Sequence, residues 1–311
     1  MACYRLDGQA SNSGQAVIPS EWYWAIFTVI AAAAQTLRNA AQRQVTGAAG
    51  VFGATLVRFL YGLPFAVLFF AAIVSVHGLP PEPDAAFWAW TVFGAVLQIV
   101  ATGLLLAAMN ERNFAVAIAY SRTEPVQIAI FGLIVLGDPL TLLLAVAILA
   151  ATLGVLCLSW PKSGMKLETR PVVLGILAGS AFAMSAIGFR AAVQELDAPF
   201  TLAATTMLLT ALIIQSILMT GFMLWRDRTG LSAVASAWKI SLMAGAAGAT
   251  ATQLWFFAFA LESAARVRTL GVIEILFAQI VSARLLREGA TARELIGIAL
   301  VIVGVVVVLN A

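Results

Sequence analysis

The sequence predicts an all-α membrane protein with ten transmembrane helices in two inverted five-helix repeats. Of its 311 residues, 62% are hydrophobic and only 11% are charged, whereas soluble domains carry roughly a quarter charged residues. Apolar runs of about 20 residues, the length that crosses a bilayer as a helix, recur along the chain. The second half also repeats the chemistry of the first. These observations together predict the fold class.

The ten spans follow one another with short connectors. Backbone groups in lipid must be satisfied within their own segment, so these long apolar runs predict helices and not open strands. Seven runs are free of charged residues at 59–76, 85–109, 140–160, 171–189, 199–225, 240–261 and 295–311. Three more contain charged residues at 22–45, 113–137 and 264–286. The connectors between spans hold Gly, Pro and polar residues, as in "GLPPEPD", "GDPLT" and "ELDAP".

An internal repeat divides the chain into residues 1–160 and 161–311. Glu124 aligns with Glu274, 150 residues later, and Gly154 aligns with Gly304 at the same offset. Arg38 aligns with Arg190 at a slightly different offset. Each repeat holds five predicted spans, and because five is odd the second repeat must enter the membrane from the opposite side. Two inverted halves are the architecture of secondary transporters, whose substrate site lies between the halves near the midplane.

Composition and motifs exclude several other classes. The net charge is only +3, and no basic run indicates nucleic-acid binding. Cys3 and Cys157 form no CxxC motif, so the sequence predicts neither a metal nor a cofactor. His77 lies at a span end, and without an HExxH motif or a paired nucleophile the chain is not predicted to be an enzyme. No GxxxxGK[ST] loop is present for ATP-driven pumping. The first twenty residues lack an apolar core, so the first span is expected to direct insertion.

The distribution of positive charge predicts the orientation. Twelve of the 18 Lys and Arg residues fall in loops on the side opposite the N-terminus, and three fall on the N-terminal side, counting Arg266 and Arg268 there. The positive-inside rule then places both termini on the non-cytoplasmic side of a multi-pass protein of the inner (plasma) membrane.

Two segments resemble a known family. "TEPVQIAIFGLIVLGDPLTLLLAVAILAATLGVLCL" and "IEILFAQIVSARLLREGATARELIGIALVIVGVVVVL" are similar to the paired repeats of the drug/metabolite transporter superfamily, in its EamA-type branch. The resemblance covers essentially the whole chain and implies ten spans in two inverted halves. It also implies export of amino acids, drugs or other metabolites, while some members carry nucleotide sugars. The chain departs from the pattern at Asp138, where the family has Glu, and at Ile275, which stands opposite Pro125.

Charged residues inside apolar spans need a partner or a function. Glu124 and Glu274 occupy equivalent positions, as do Arg38 and Arg190. They either pair across helix interfaces, with Arg38–Glu274 and Arg190–Glu124 as the expected contacts, or line the pathway and engage a charged substrate or a proton. Arg122, two residues before Glu124, is expected to reach toward the interface or another helix.

The predicted pathway combines these charges with polar and aromatic residues in the spans. Gln35, Arg38, Asn39 and Gln42 recur at helical spacing, so the first span presents a polar stripe that must face protein or water. Pro125 removes a backbone hydrogen bond and is the predicted hinge. Tyr120 and Trp255 lie deep in their spans, where core packing explains them equally well. The predicted pathway residues are Gln35, Arg38, Asn39, Gln98, Tyr120, Glu124, Arg190, Gln253, Trp255 and Glu274.

The leading functional hypothesis is a secondary transporter that exports a small organic solute by alternating access. An importer or exchanger of nucleotide-linked or other metabolites is the alternative within transport, and a channel is the alternative outside it. The expected partners are a small-molecule substrate, the lipid bilayer and, as a candidate coupling ion, the proton. No nucleic acid is expected, and the chain is either a monomer or a homodimer.

Overall fold

The computed structural model describes residues 19–109, 120–159, 169–277 and 292–311, and these contain helices and no β-strand. This agrees with the predicted all-α class. After a short 3₁₀ turn at Ser20–Trp22, the helices in chain order are α1 Tyr23–Leu60, α2 Leu63–His77, α3 Ala85–Met109, α4 Glu124–Phe131, α5 Leu142–Ser159, α6 Thr169–Glu195, α7 Phe200–Arg226, α8 Arg228–Ser236, α9 Trp238–Leu261, α10 Ala264–Gly271 and α11 Ala292–Leu309.

Six stretches of the described chain are long and apolar enough to cross a membrane. They are 49–77, 85–108, 169–195, 200–226, 238–261 and 292–309, and two shorter apolar helices occupy 124–136 and 142–158. The predicted fourth and ninth spans include residues 113–119 and 278–286, which lie outside the described residues. Ten spans therefore remain a prediction, whereas six helical stretches of membrane-spanning length and apolarity are observed in the described residues.

α1 extends well past the predicted end of the first span at residue 45. It is bent at Gly50, whose φ of 67° and ψ of −174° interrupt the helix. A positive φ is readily available only to glycine, so this residue allows the chain to redirect between the first and second spans. Apart from the bend at Gly50, the predicted connector before residue 59 is helical, because "GAAGVFGATLV" contains no proline and no cluster of polar turn residues. This second part of α1 carries Arg58 into the protein.

The helices pack mainly between the two halves of the chain. The most extensive contacts join α1 to α9, α3 to α6 and α5 to α11. Small residues permit the closest of these approaches: a β-carbon on Gly154 of α5 would lie 2.7 Å from the backbone nitrogen of Val301 in α11. A β-carbon on Gly304 of α11 would in turn lie 2.7 Å from the backbone nitrogen of Ala151. Such small-residue contacts are typical of helix pairs in membranes.

Two helical segments are interrupted at equivalent positions. The chain turns at residues 122–123 before α4 begins at Glu124, and it turns at 272–273 before helix resumes at Glu274. Backbone bonds spanning three residues, from Thr123 to Tyr120 and from Val272 to Thr269, tighten both turns. The first break has Pro125 at the start of the following helix, and the second has Ile275 there. A proline is therefore not required for the break, although the sequence supported a kink in the first half only.

Two helix termini have well-defined caps. α4 continues as a π-helical turn, Gly132–Leu136, which ends at Gly137 with a φ of 68°. α8 begins after Asp227, whose carboxylate accepts a hydrogen bond from the Gly230 backbone N–H at 2.9 Å. That bond, together with one from the Thr229 hydroxyl, lowers the pKa of Asp227 below its ordinary value.

A polar cavity between the two halves

A cavity of about 210 Å³ lies among helices of both halves. α1 supplies one polar wall, as the stripe in the sequence predicts, and the second part of α1, beyond the bend at Gly50, adds a cation. The α1 residues in the wall are Gln35, Arg38, Asn39, Gln42, Thr46 and Arg58.

The remaining wall comes from four other segments. Thr102, Leu105 and Leu106 of α3 give a mainly apolar patch. The two interrupted segments supply charges, and α6 supplies one aromatic ring. These residues are Ser121, Arg122, Glu124, Phe182 and Arg268. The cavity is therefore amphiphilic, with most of its charge positive.

The two interrupted helices exchange ion pairs across the centre. Arg122 of the first half donates to Glu274 of the second. Arg268 of the second half lies with its Nε 3.3 Å from Oε1 of Glu124 of the first, without hydrogen-bond alignment. Each segment thus contributes one arginine and one glutamate. The two pairs tie the halves together at the point where each helix is broken.

Gln35 and Trp255 connect these pairs into one network. The Gln35 amide donates to Oε2 of Glu274 at 2.5 Å and accepts from the indole N–H of Trp255 at 3.1 Å. The guanidinium of Arg268 lies 4.7 Å from the centre of the Trp255 ring, a cation–π distance. Trp255 also rests against Gly271, where a β-carbon would overlap the indole ring. The glycine allows the ring to lie beside the break.

Arg38 and Arg58 differ from the other two cavity arginines. Arg38, only 6% exposed, donates to the Asn39 side-chain carbonyl at 2.8 and 3.2 Å. Arg58 donates to the Thr102 hydroxyl at 3.1 Å. Within the described part of the chain neither has a carboxylate partner. Both cations are held in place by neutral groups.

Arg190 lies outside the cavity and joins helix ends. It pairs with Asp138 at 3.1 Å and donates to the backbone carbonyls of Phe259 and Glu262, the former at 2.9 Å. These carbonyls are at the C-terminal end of α9, where a cation is favourable. The contact joins the connector after the fourth span in the first half to α6 and α9 in the second.

The expected pairs Arg38–Glu274 and Arg190–Glu124 are wrong. The glutamates bind arginines carried by the two interrupted helices themselves, Arg122 and Arg268. These arginines reach across because the breaks bring the two segments together, whereas Arg190 lies near the C-terminus of α6 beside Asp138. The alternative in which Arg122 faces another helix is confirmed.

The other predicted pathway residues lie in several environments. Gln98 is buried, accepts from the Gln215 amide at 2.8 Å, and lines a smaller cavity of about 20 Å³ next to Gln35 and Arg38. Trp255 and Glu274 line another small cavity, of about 30 Å³, behind the main one. Tyr120 is half-buried and does not contribute to the wall of the main cavity. Gln253 is buried in α9, and its amide has no hydrogen-bond partner in the described structure.

Two important cavity residues were assigned to loops by the sequence. Arg58 was counted with the loops because it precedes the second apolar run, and Arg268 because it follows the eighth span. Arg58 is the single charged residue of the apolar stretch "ATLVRFLYG", whereas Arg268 shares the stretch "RVRTLGVIE" with Arg266 and Glu274. A charge inside or beside an apolar span is the signal that the sequence offers for both residues. Asp138, the partner of Arg190, was noted only as a departure from the family pattern.

Comparisons with known proteins are consistent with this geometry. A family model described as the EamA-like transporter family matches the chain twice, over residues 22–160 and 169–310. One solved structure, described only as a crystal structure of a protein, is similar with a TM-score of 0.69 and 15% sequence identity. The match covers 91% of this chain and 95% of that one, and it shows the fold alone. No curated protein matches the chain.

Proposed function

Because the chain belongs to the EamA-like transporter family, we propose that it is a secondary transporter that exports a small organic solute by alternating access. Membership makes it a membrane transporter of small solutes. The solute, its direction and the mechanism are the proposed parts.

The observation that carries the proposal is the cavity of about 210 Å³ between the halves, lined at its centre by the Arg122–Glu274 and Arg268–Glu124 pairs. Non-helical backbone within a membrane is tolerated where it is buried in protein or lines a water-filled cavity. Both breaks, at 122–123 and 272–273, meet that condition. Broken helices beside a central polar cavity are the usual construction of a transporter substrate site.

The helix contacts support two inverted halves. α5 Leu142–Ser159 and α11 Ala292–Leu309 begin and end 150 residues apart. The three largest interfaces are α1–α9, α3–α6 and α5–α11. If each helix is replaced by its equivalent in the other half, the α1–α9 contact becomes the α6–α3 contact and the α5–α11 contact stays the same. A two-fold axis in the membrane plane accounts for this pattern.

The Arg190 contact supports alternating access. In the predicted topology, Asp138, Arg190 and Glu262 follow spans that end on the non-cytoplasmic side, so their contact closes that end. Thr46, Leu105 and Leu106 lie near span ends on the cytoplasmic side and line the cavity. On this proposal the cavity opens toward the cytoplasm. Export proceeds when the Arg190 contact opens and the cytoplasmic end closes.

The cavity size favours a metabolite such as an amino acid or a small drug over a nucleotide-linked solute. Its volume of about 210 Å³ is below the roughly 300–1,000 Å³ typical of drug-sized ligands. The excess of arginine favours the alternative, an importer or exchanger of nucleotide-linked or other metabolites.

Loaded proteoliposomes test the proposal. We expect time-dependent loss of at least one solute from a panel of amino acids, drugs and sugar phosphates, faster than from protein-free vesicles. A pH gradient identifies proton coupling, and a requirement for solute on the opposite side identifies exchange. A properly folded protein that moves no solute of the panel in either direction would contradict transport. Movement only in exchange would favour the alternative.

A further inference from the structure

The arginines of the central cavity outnumber its glutamates. In the main cavity and the smaller one behind it, the described residues supply Arg38, Arg58, Arg122 and Arg268 against Glu124 and Glu274. Both glutamates are already paired, with Arg268 and Arg122. Two positive charges therefore remain without a carboxylate partner among these residues.

Those two charges belong to Arg38 and Arg58, and both face the same cavity. Together with Gln98 and Thr252 they also line the adjoining cavity of about 20 Å³. A guanidinium offers five N–H donors and remains charged, so a neutral acceptor satisfies only part of it. Asn39 accepts from Nε and Nη2 on one edge of the Arg38 guanidinium, and Thr102 accepts from Nη1 of Arg58. The remaining donors are available to a ligand.

Taking a cation out of water without a counter-charge is unfavourable. Helix packing alone does not require a cation at these two positions. Gln42, on the same wall as Arg38, shows that a neutral amide can be buried there, since it donates to the Ala54 carbonyl at 2.8 Å. Two arginines, in contrast, form charge-assisted and often bidentate hydrogen bonds to carboxylate or phosphate oxygens.

We propose that Arg38 and Arg58 form an anion-binding subsite and that the transported solute is a small organic acid, a carboxylate or a phosphate monoester. This inference rests on the proposed transport function. Leu105, Leu106 and Phe182 provide an apolar surface for the carbon skeleton of the solute. Arg122 and Arg268 stay with their glutamates, so the subsite discriminates by charge without disturbing the pairs that join the halves.

Binding to the purified protein is the first test, because it does not depend on transport. Thermal midpoints are measured with butyrate, butyramide and butylamine, which match in size and differ in charge, and with glycerol 3-phosphate against glycerol. We expect an upward shift with butyrate or glycerol 3-phosphate, and little shift with the neutral and cationic probes. The two anions separate a carboxylate from a phosphate preference. Equal or larger shifts with butyramide or butylamine, or no anion-specific shift, would overturn the proposal.

Variants separate a ligand-binding role from a structural one. R38Q and R58Q remove the unpaired charges, so without ligand each should be at least as stable as the parent, while anion binding weakens about tenfold or more. R38K retains the charge but not the fork and should restore binding in part. R226Q, at the exposed end of α7, is the matched control and should bind like the parent. Undiminished anion binding by both R38Q and R58Q would overturn the assignment.

Transport assays keep the two proposals apart. Suppose that the parent protein binds anions, that R38Q loses this binding, and that the parent moves no solute. This outcome would contradict transport and leave the anion subsite intact. Transport of butylamine or butyramide in preference to butyrate, unaffected by R38Q and R58Q, would leave transport intact and contradict the subsite.

Discussion

At the scale of single residues, Glu124 illustrates how a carboxylate is retained within a span. Its side chain is 17% exposed and its partner Arg268 is 18% exposed. Removing one member of a largely buried pair leaves an uncompensated charge, whereas removing both does not. Oε1 of Glu124 lies 3.3 Å from Nε of Arg268, and neither atom has an aligned hydrogen-bond partner in the described structure, so the pair is held by charge alone.

This pairing predicts non-additive effects of mutation. E124Q and R268Q should each lower the free energy of unfolding, by less than the ~3–5 kcal/mol of a fully buried pair. The double variant should recover at least about 1 kcal/mol relative to their sum. Unfolding in mixed detergent measures each value. E124Q with R190Q is the control and should be additive, because Arg190 pairs with Asp138. Additive loss for E124Q with R268Q would contradict the contact.

At the scale of elements, the two interrupted helices have the same shape and different sequences. Gly271 and the Trp255 ring stand at the second break, where Ile275 replaces the proline of the first. Pro125 occupies the first turn of α4, where its missing N–H costs little. At the first break, Gly179 of α6 lies close to the Ser121 carbonyl, and a β-carbon on Gly179 would be 2.9 Å from that oxygen. Tertiary contacts therefore hold both breaks.

The variant P125A tests whether proline holds the first break. Because the second break persists without proline, we expect the helix to remain interrupted and the free energy of unfolding to change by less than about 1 kcal/mol. The transport rate should fall no more than about twofold. Thermal unfolding and vesicle efflux are the measurements. A more stable protein with greatly slowed efflux would instead establish Pro125 as the hinge.

The α5–α11 interface gives a second element-scale prediction. G154A places a methyl group 2.7 Å from the backbone nitrogen of Val301 and should cost about 1–3 kcal/mol, since the two helices must separate. G221A in α7 is the matched control: no atom lies within 4 Å of the added carbon, and alanine is the better helix former. Thermal midpoints should fall for the first variant only. Equal midpoints would show that α5 and α11 do not approach this closely.

At the scale of the whole molecule, the charge distribution and the cavity together predict the face of the membrane from which the cavity is accessible. If the loops rich in Lys and Arg face the cytoplasm, the cavity should be reached from that side. T46C in a background with Cys3 and Cys157 replaced by Ser should react with a membrane-impermeant thiol reagent added to the cytoplasmic face. Thr46 lines the cavity, and its hydroxyl donates to the Gln42 carbonyl in its own helix. Labelling from the opposite face alone would reverse the predicted orientation.

The same labelling measurement also tests the Arg190–Asp138 contact. D138N weakens the contact to Arg190 and should favour opening at the non-cytoplasmic end, so labelling of T46C from the cytoplasm should slow. The reduction should be severalfold, because loss of one charge-assisted contact of about 1.5–3 kcal/mol shifts a two-state equilibrium substantially. Unchanged labelling would indicate that this contact does not distinguish the two states.

The sequence by itself determined the helical membrane class, the family and the equivalence of Glu124 and Glu274. These follow from local chemistry: apolar runs in lipid must form helices to satisfy their backbone groups, and a repeat is visible in residue order. It also located the polar stripe of α1, because helical spacing determines which residues share a face. Only the tertiary structure decided which arginine meets each glutamate, and it brought Arg58 and Arg268 from the expected loops into the cavity. Partner choice depends on which broken helices meet across the centre of the molecule, and the spacing of residues along one chain does not encode that distance.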